Sequence, residues 1–245
     1  MEINEKVKIK TVPYLHRDIV EDDSMLKELI YENMQYDLFW TDDWSVEFYI
    51  ECAYAGLISI SKDHHLLPEM QTDYAVLDWK DLHVSKRLRS SLSMNYQLKL
   101  NSDYEAVLDG IEKHHAPDNW LQIEYRRLLN ELFSRSDWKY GFVPQSVELY
   151  DGSKLIAGEI GYVIGKTYTS LTGFFLRERE YNNAGKLQLI MLARYLEKNN
   201  FDFWNMGHPH MQYKKDIGAR ILPRKEFLKR WFASRNAVLN VNVQL

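Results

Sequence analysis

A single cysteine, Cys52, stands among 245 residues, so no intramolecular disulfide and no cysteine-based zinc cage can form. No run of about 18 apolar residues occurs, and nothing in the sequence is predicted to span a membrane. Positive charge is not in excess either. Lysine and arginine number 31 against 35 aspartate and glutamate, a net charge of −4, so nucleic acid would have to be met by a local patch. Internal repeats and low-complexity tracts are missing, and no Gly/Ser linker marks a domain boundary. The opening MEINEKVKIK lacks the apolar core of a secretory signal, and the cytoplasm is the expected compartment. What remains is 45% hydrophobic and 27% charged, the composition of a globular protein with one large domain or one plus a small satellite.

The most structured stretch runs from Gln145 to Phe175. Three runs rich in β-branched and aromatic residues, QSVELY, KLIAGEIGYVI and TYTSLTGFF, are broken at Asp151-Gly152 and at Gly165-Lys166. Both breaks tolerate the left-handed backbone of hairpin turns, so the spacing predicts a meander of three antiparallel strands. Leu187, Ile190, Leu192, Tyr195 and Leu196 then recur near helical spacing, predicting a helix over about 186–198, and 201–205 reads as another strand. This is an α/β (α+β) pattern with a mostly antiparallel central sheet flanked by helices.

Upstream, Ser24 is the expected N-cap of a helix carrying Met25, Leu26, Leu29 and Ile30, and a short helix is expected from Ser45 to Gly56. HHLLPEMQ reads as a loop and YAVLDW as a strand. The division expected is a small N-terminal domain over 1–75 and a transfer domain over 76–245. Two further helices follow, over about 101–115 and from Leu121 to Phe133, the second with Asn119 as its expected cap. The alternation in VLNVNVQL suggests a late strand in the tail.

Several residues stand out as chemistry. Glu159 lies in an otherwise apolar strand and faces either a pocket, where desolvation would raise its pKa toward a general base's range, or solvent, the register deciding which. Asn205, His208, His210 and Tyr213 cluster in WNMGHPHMQYKK, at a strand end. There histidines act as base or proton relay, or are plain surface residues. No acidic third ligand accompanies the His-x-His pair, and no metal is expected. Tyr168 and Thr172 either line a cleft or are simply good strand residues. Lys86, Arg87 and Arg89 form a basic group that Lys214, Lys215, Arg220 and Arg224 would extend.

Seven segments, in order, resemble the bacterial leucyl/phenylalanyl-tRNA–protein transferases, collinear from about Trp40 to Leu228. They are AYAGLIS, PEMQTDYAVLDWKDLHVSKRLR, Trp120 ahead of a helix, QSVE, KLIAGEIG, NAGK and DIGARILPRKEFL. The resemblance implies a C-terminal domain like that of the GCN5-related acetyltransferases, adapted to the aminoacylated 3′ end of tRNA. The implied reaction is attack of a protein or peptide N-terminal amine on an aminoacyl ester, with no cofactor and no covalent intermediate. It also implies substrate contacts for Trp120 and Glu148, the latter structural or acceptor-orienting, with a cross-strand ion pair as the plainer alternative. Lys86, Arg87 and Arg89 fall on the family's basic segment, which implies an approach to phosphate.

The departures fall on working positions. Ser170-Leu171-Thr172-Gly173-Phe174 stands where the family has GESMF, so Leu171 replaces a functional glutamate. FWNMG stands for LIDCQ, and Ile58-Ser59-Ile60-Ser61 for an aromatic FPWF. Three functions follow as expectations: an aminoacyl-tRNA-dependent transferase with a rebuilt site, an acyltransferase using acyl-CoA, or a non-catalytic protein that binds tRNA or an N-terminus. The second would need a glycine-rich pyrophosphate loop before the 186–198 helix, and REREYNNAGK is too poor in glycine to supply one.

Overall fold

The structure is a computed structural model that describes residues 12–92, 95–117 and 119–239, with the backbone alone at Arg87 and Ser91. The segment before the main sheet carries helices α1 (Arg17–Glu21), α2 (Asp23–Leu26) and α3 (Val46–Ala55), then strands β1 (Ile58–Lys62) and β2 (His65–Glu69). Asp22, not Ser24, caps α2, because its carboxylate reaches the amides of both Ser24 and Met25. Ser45 caps α3 as expected, and Gly56 ends it in the left-handed conformation, at φ 96°.

HHLLPEMQ departs from the expected loop, since its central residues form β2 and pair with β1 as a separate hairpin. Pro68 argues against a strand, yet its missing N–H falls on the outer side of β2, which the 38–41 segment meets only by isolated bridges and where the Pro68 carbonyl accepts from the Phe39 amide.

Strand β3 (Asp73–Leu77) enters the main sheet, so residue 75 lies within one of its strands. Helix α4 (Lys86–Ser91), strand β4 (Tyr96–Leu100), helix α5 (Tyr104–His115) and helix α6 (Ile123–Phe133) follow. Gln122 is the cap position of α6, while Asn119 accepts from the Leu121 amide one step earlier, so the expected cap sits too far upstream. The predicted meander is then built as β5 (Val143–Asp151), β6 (Lys154–Ile164) and β7 (Thr167–Phe175), paired antiparallel throughout. Helix α7 (Ala184–Lys198), strand β8 (Phe203–Asn205), helix α8 (Gln212–Asp216), strand β9 (Arg220–Pro223) and helix α9 (Arg224–Ser234) complete the described chain. Most of the tail segment expected as a strand lies outside the described residues.

Among the described residues the main sheet has seven strands in the order β4-β5-β6-β7-β8-β3-β9. Every neighbouring pair is antiparallel except β7 with β8, which makes the sheet mixed. Alternation along β6 gives the sheet two buried faces. Ile160 and Tyr162 pack with Val107, Leu108 and Ile111 of α5. On the opposite face Val147, Val163, Tyr168 and Trp204 pack with Ile190, Leu192 and Leu196 of α7. The N-terminal segment is tied to α9 by the buried Arg224, whose guanidinium donates to the carbonyls of Ile30, Asn33, Met70 and Gln71. Tyr74 of β3 stacks on Phe227 of α9, with ring centres 3.7 Å apart.

Candidate active site

Strands β7 and β8 run parallel for three register pairs, Thr167 with Phe203 through Thr169 with Asn205. There β8 ends, while β7 continues to Phe175 paired only with β6. A notch opens beside Ser170–Gly173, where the edge of β7 on the β8 side has no strand partner. Sites in open α/β sheets form where neighbouring strands part in this way. A register shift between Ile160 and Gly161 adds a bulge opposite the notch and leaves Leu171 without a directly paired residue on β6.

Glu159 flanks this notch on the α7 face. It pairs with Val147 on one side and Gly173 on the other, so the register turns its side chain inward rather than to solvent, and it is 5% exposed. The Tyr168 hydroxyl donates to its Oε1 at 2.7 Å and the Ser170 hydroxyl to the same oxygen at 2.9 Å. Trp204 Nε1 of β8 donates to Ser170 Oγ at 2.8 Å. A serine hydroxyl has one donor and two acceptor positions, so Ser170 keeps one acceptor position after serving Glu159 and Trp204.

Two glycines make the space. A Cβ on Gly161 would lie 2.6 Å from the Tyr168 hydroxyl, and one on Gly173 would lie 2.9 Å from Glu159 Cβ. Burial pushes Glu159 up to about 7, against the lowering pull of the Tyr168 and Ser170 hydroxyls, the Gln188 side chain and the Lys214 charge. The carboxyl can therefore lose and regain a proton near neutrality.

Lys214 departs from the basic surface expected of it. It is 5% exposed, and its ammonium is held by the carbonyls of Met206 and His208. Burial pulls it down to about 8 while Glu159 opposes that shift. The neighbouring Tyr213 ring edge is exposed, yet burial of its hydroxyl, and then Glu159, push its pKa up.

The other predicted residues are divided by the sheet. Asn205 pairs with Val76 and Thr169, which puts it on the face opposite Glu159, and its Oδ1 accepts from the Gly207 amide at 3.0 Å. It shapes the loop leaving β8. His208, on that loop, sets Nε2 3.1 Å from Glu69 Oε1 of β2, and burial pushes Glu69 up against the pull of His208. His210 is exposed, with its ring 6.0 Å from that of His208. Thr172 lies on the α5 face within 3.4 Å of His115 Nε2, which also meets the Gly173 carbonyl at 3.0 Å.

Glu148 is fully buried on that same face. It accepts from Ser146 Oγ at 2.5 Å and from the amides of Ser102 and Asp103, just before α5. Trp120 packs edge-on against Tyr125. Lys86 and Arg89 are exposed on α4, Lys215 is exposed on α8, and Arg220 is engaged by Asp78 and Asp81.

Sequence reasoning passed over Ser170, Gln188 and His115. Gln188 had a legible signal. It sits four residues from both Ala184 and Leu192 on the buried stripe of α7, it is itself buried, and its side chain faces Glu159, whose pKa it helps to lower. Ser170 is the polar position of TYTSLTG nearest the bulge, and only the register shows which way it points.

Comparison with known proteins follows this geometry closely. The family model for leucyl/phenylalanyl-tRNA protein transferase matches residues 76–231, from β3 to α9. A leucyl/phenylalanyl-tRNA–protein transferase from Azotobacter vinelandii is 27% identical over 177 residues, covering 67% of this chain and 74% of that one. One from Paracoccus denitrificans is 25% identical over 154 residues, covering 62% and 66%. Among solved structures, a DUF2156 C-terminal domain from Agrobacterium fabrum is similar at 13% identity and a TM-score of 0.46, covering 83% of this chain and 74% of that one. Among the described residues no helix is long and apolar enough to cross a membrane, and no cluster of histidine, cysteine and acidic residues is built to hold a metal ion. With its match running over more than half of the chain, through most of the main sheet and the notch, this chain belongs to the leucyl/phenylalanyl-tRNA protein transferase family.

Proposed function

We propose that this chain moves an aminoacyl group from aminoacyl-tRNA to the N-terminal amine of a protein or peptide, with the β7–β8 notch as the place of transfer. The observation that carries this reading is the Glu159 carboxyl, buried beside the notch and poised near neutrality. The amine nitrogen bonds to the ester carbonyl carbon and gives up a proton, and the ribose oxygen of the tRNA leaves and takes one up. Ser170 takes the amine proton at its open acceptor position as it passes its own proton to the Glu159 carboxylate, which is thereby neutralised without leaving the sheet. Main-chain N–H groups of β7 beyond the end of β8 would be the donors for the developing oxyanion.

His208, steadied by Glu69, is the group suited to return a proton to the leaving oxygen, and Asn205 positions His208 through the Gly207 turn. Family relatives carry a glutamate where this chain has Leu171, and Leu171 packs into the α5-face core. Glu159 supplies a carboxyl from the adjacent strand instead.

The test is transfer of labelled amino acid from a mixed aminoacyl-tRNA pool to peptides with different N-termini. Glu159→Gln keeps the shape and removes the titrating group, and is expected to lower transfer about 100-fold or more with folding intact. Unchanged transfer in that variant would remove Glu159 from the mechanism. Tight tRNA binding with no transfer in the wild type would favour the non-catalytic reading instead.

A further inference from the structure

A second cleft, of about 790 Å³, opens between the N-terminal segment and α9, on residues distinct from those of the notch. Its lining is cationic in a chain of net negative charge, with Lys27, Arg224, Lys225, Lys229 and Arg235 set against Asp23 and Glu32. The cations are not all neutralised. Glu32 is taken up by Lys27 at 3.5 Å, while Lys225 and Lys229 have no ion-pair partner among the described residues. These two stand one turn apart on α9, a like-charge spacing that an isolated helix disfavours. Beneath them the buried guanidinium of Arg224 is bonded only to carbonyls, so its charge is solvated but not cancelled.

The apolar part of the same cleft is aromatic. The Phe232 ring is 37% exposed, lies 5.3 Å from the Tyr31 ring, and has the Arg235 guanidinium 4.6 Å from its centre. Phosphate alone would need the cations but not an open ring. An acidic peptide would need the cations but gain little from the ring. A nucleotide uses both, its phosphate on the lysines and its base on the aromatic face. The volume suits a nucleotide unit rather than a duplex.

We propose that this cleft binds a nucleotide unit of single-stranded RNA, with phosphate at Lys225 and Lys229 and the base against Phe232. The inference stands apart from the transfer reaction, since none of these residues borders the notch.

The test is fluorescence anisotropy of a short labelled single-stranded RNA on the full chain, across a range of salt concentrations. Three variants are compared: Lys225→Glu with Lys229→Glu, Phe232→Ala, and Lys80→Glu as a charge control elsewhere. All changed side chains are at least partly exposed, and thermal melts verify that each variant folds. The double variant is expected to lose about tenfold or more in affinity, and its log-log salt slope to fall by about 1.4, as for two phosphates on a single strand. Phe232→Ala is expected to lose about fivefold to tenfold, with the slope unchanged. RNA affinity that survives the double variant, or that falls equally in Lys80→Glu, would overturn the proposal. So would displacement of the RNA by inorganic phosphate or an acidic peptide at equal phosphate or carboxylate concentration.

Discussion

Two buried glutamates sit on adjacent strands of one sheet and face opposite ways. Glu148 of β5 pairs with Gly158 and looks toward α5, while Glu159 of β6 pairs with Val147 and looks toward α7. Burial pushes both carboxyls up. Their surroundings differ. Glu148 is held by the Ser146 hydroxyl at 2.5 Å and by two main-chain amides just ahead of α5, and those amides cannot turn away without unseating the helix. Glu159 is held by the two hydroxyls of Tyr168 and Ser170, which can rotate and exchange protons, beside an edge that the sheet leaves unpaired. A buried carboxyl anchored to the main chain ahead of a helix is a fastener. One bound by hydroxyls at an open edge can do chemistry.

The contrast can be broken by the same substitution at both positions. Glu159→Gln is expected to abolish most transfer while leaving thermal stability at or above that of the wild type. Glu148→Gln places an NH₂ group against the amide of either Ser102 or Asp103, and is expected to cost about 1–3 kcal/mol in a denaturant melt. The remaining folded enzyme should transfer within about threefold of wild type. Reversed outcomes would exchange the two roles.

Stability against pH sharpens the same difference. Glu159 moves from an ordinary 4.5 to about 7 on folding, so the folded state binds its proton more tightly than the unfolded state does. The native fold is therefore favoured most below the unfolded pKa, and loses that advantage as pH rises from about 4.5 to about 7, by about 3 kcal/mol in all. Subtracting the Glu159→Gln profile from the wild type, in urea melts across that window, should isolate this slope. A flat difference would mean that Glu159 is not desolvated.

Much of this architecture is written locally. The meander is legible because Asp151-Gly152 and Gly165-Lys166 punctuate runs of strand formers, and the structure builds both turns with glycine at positive φ. Glu159 is legible as an anomaly, an acid in an apolar strand. Its direction is not, because a register set by pairing with Val147 and Gly173 decides it. Strands β4 and β9 escape notice because YQLKL and RILP are short edge strands whose partners lie far along the chain. Lys214 reads as surface charge within QYKKD, yet α8 turns it inward onto the carbonyls of Met206 and His208. No local pattern distinguishes it from Lys215. The separation of Asn205 from Glu159 is likewise a property of the sheet, since both are polar residues of apolar strands and only the pairing assigns their faces.

The most direct measurement is a pH titration of the glutamate carboxyl resonances by ¹³C NMR, in the wild type and in Glu159→Gln. The account predicts one resonance with a midpoint near 7 that is absent from the variant. If every glutamate that disappears on substitution titrates in the ordinary range of about 4 to 5, Glu159 is a solvated strand carboxylate and the notch has no base.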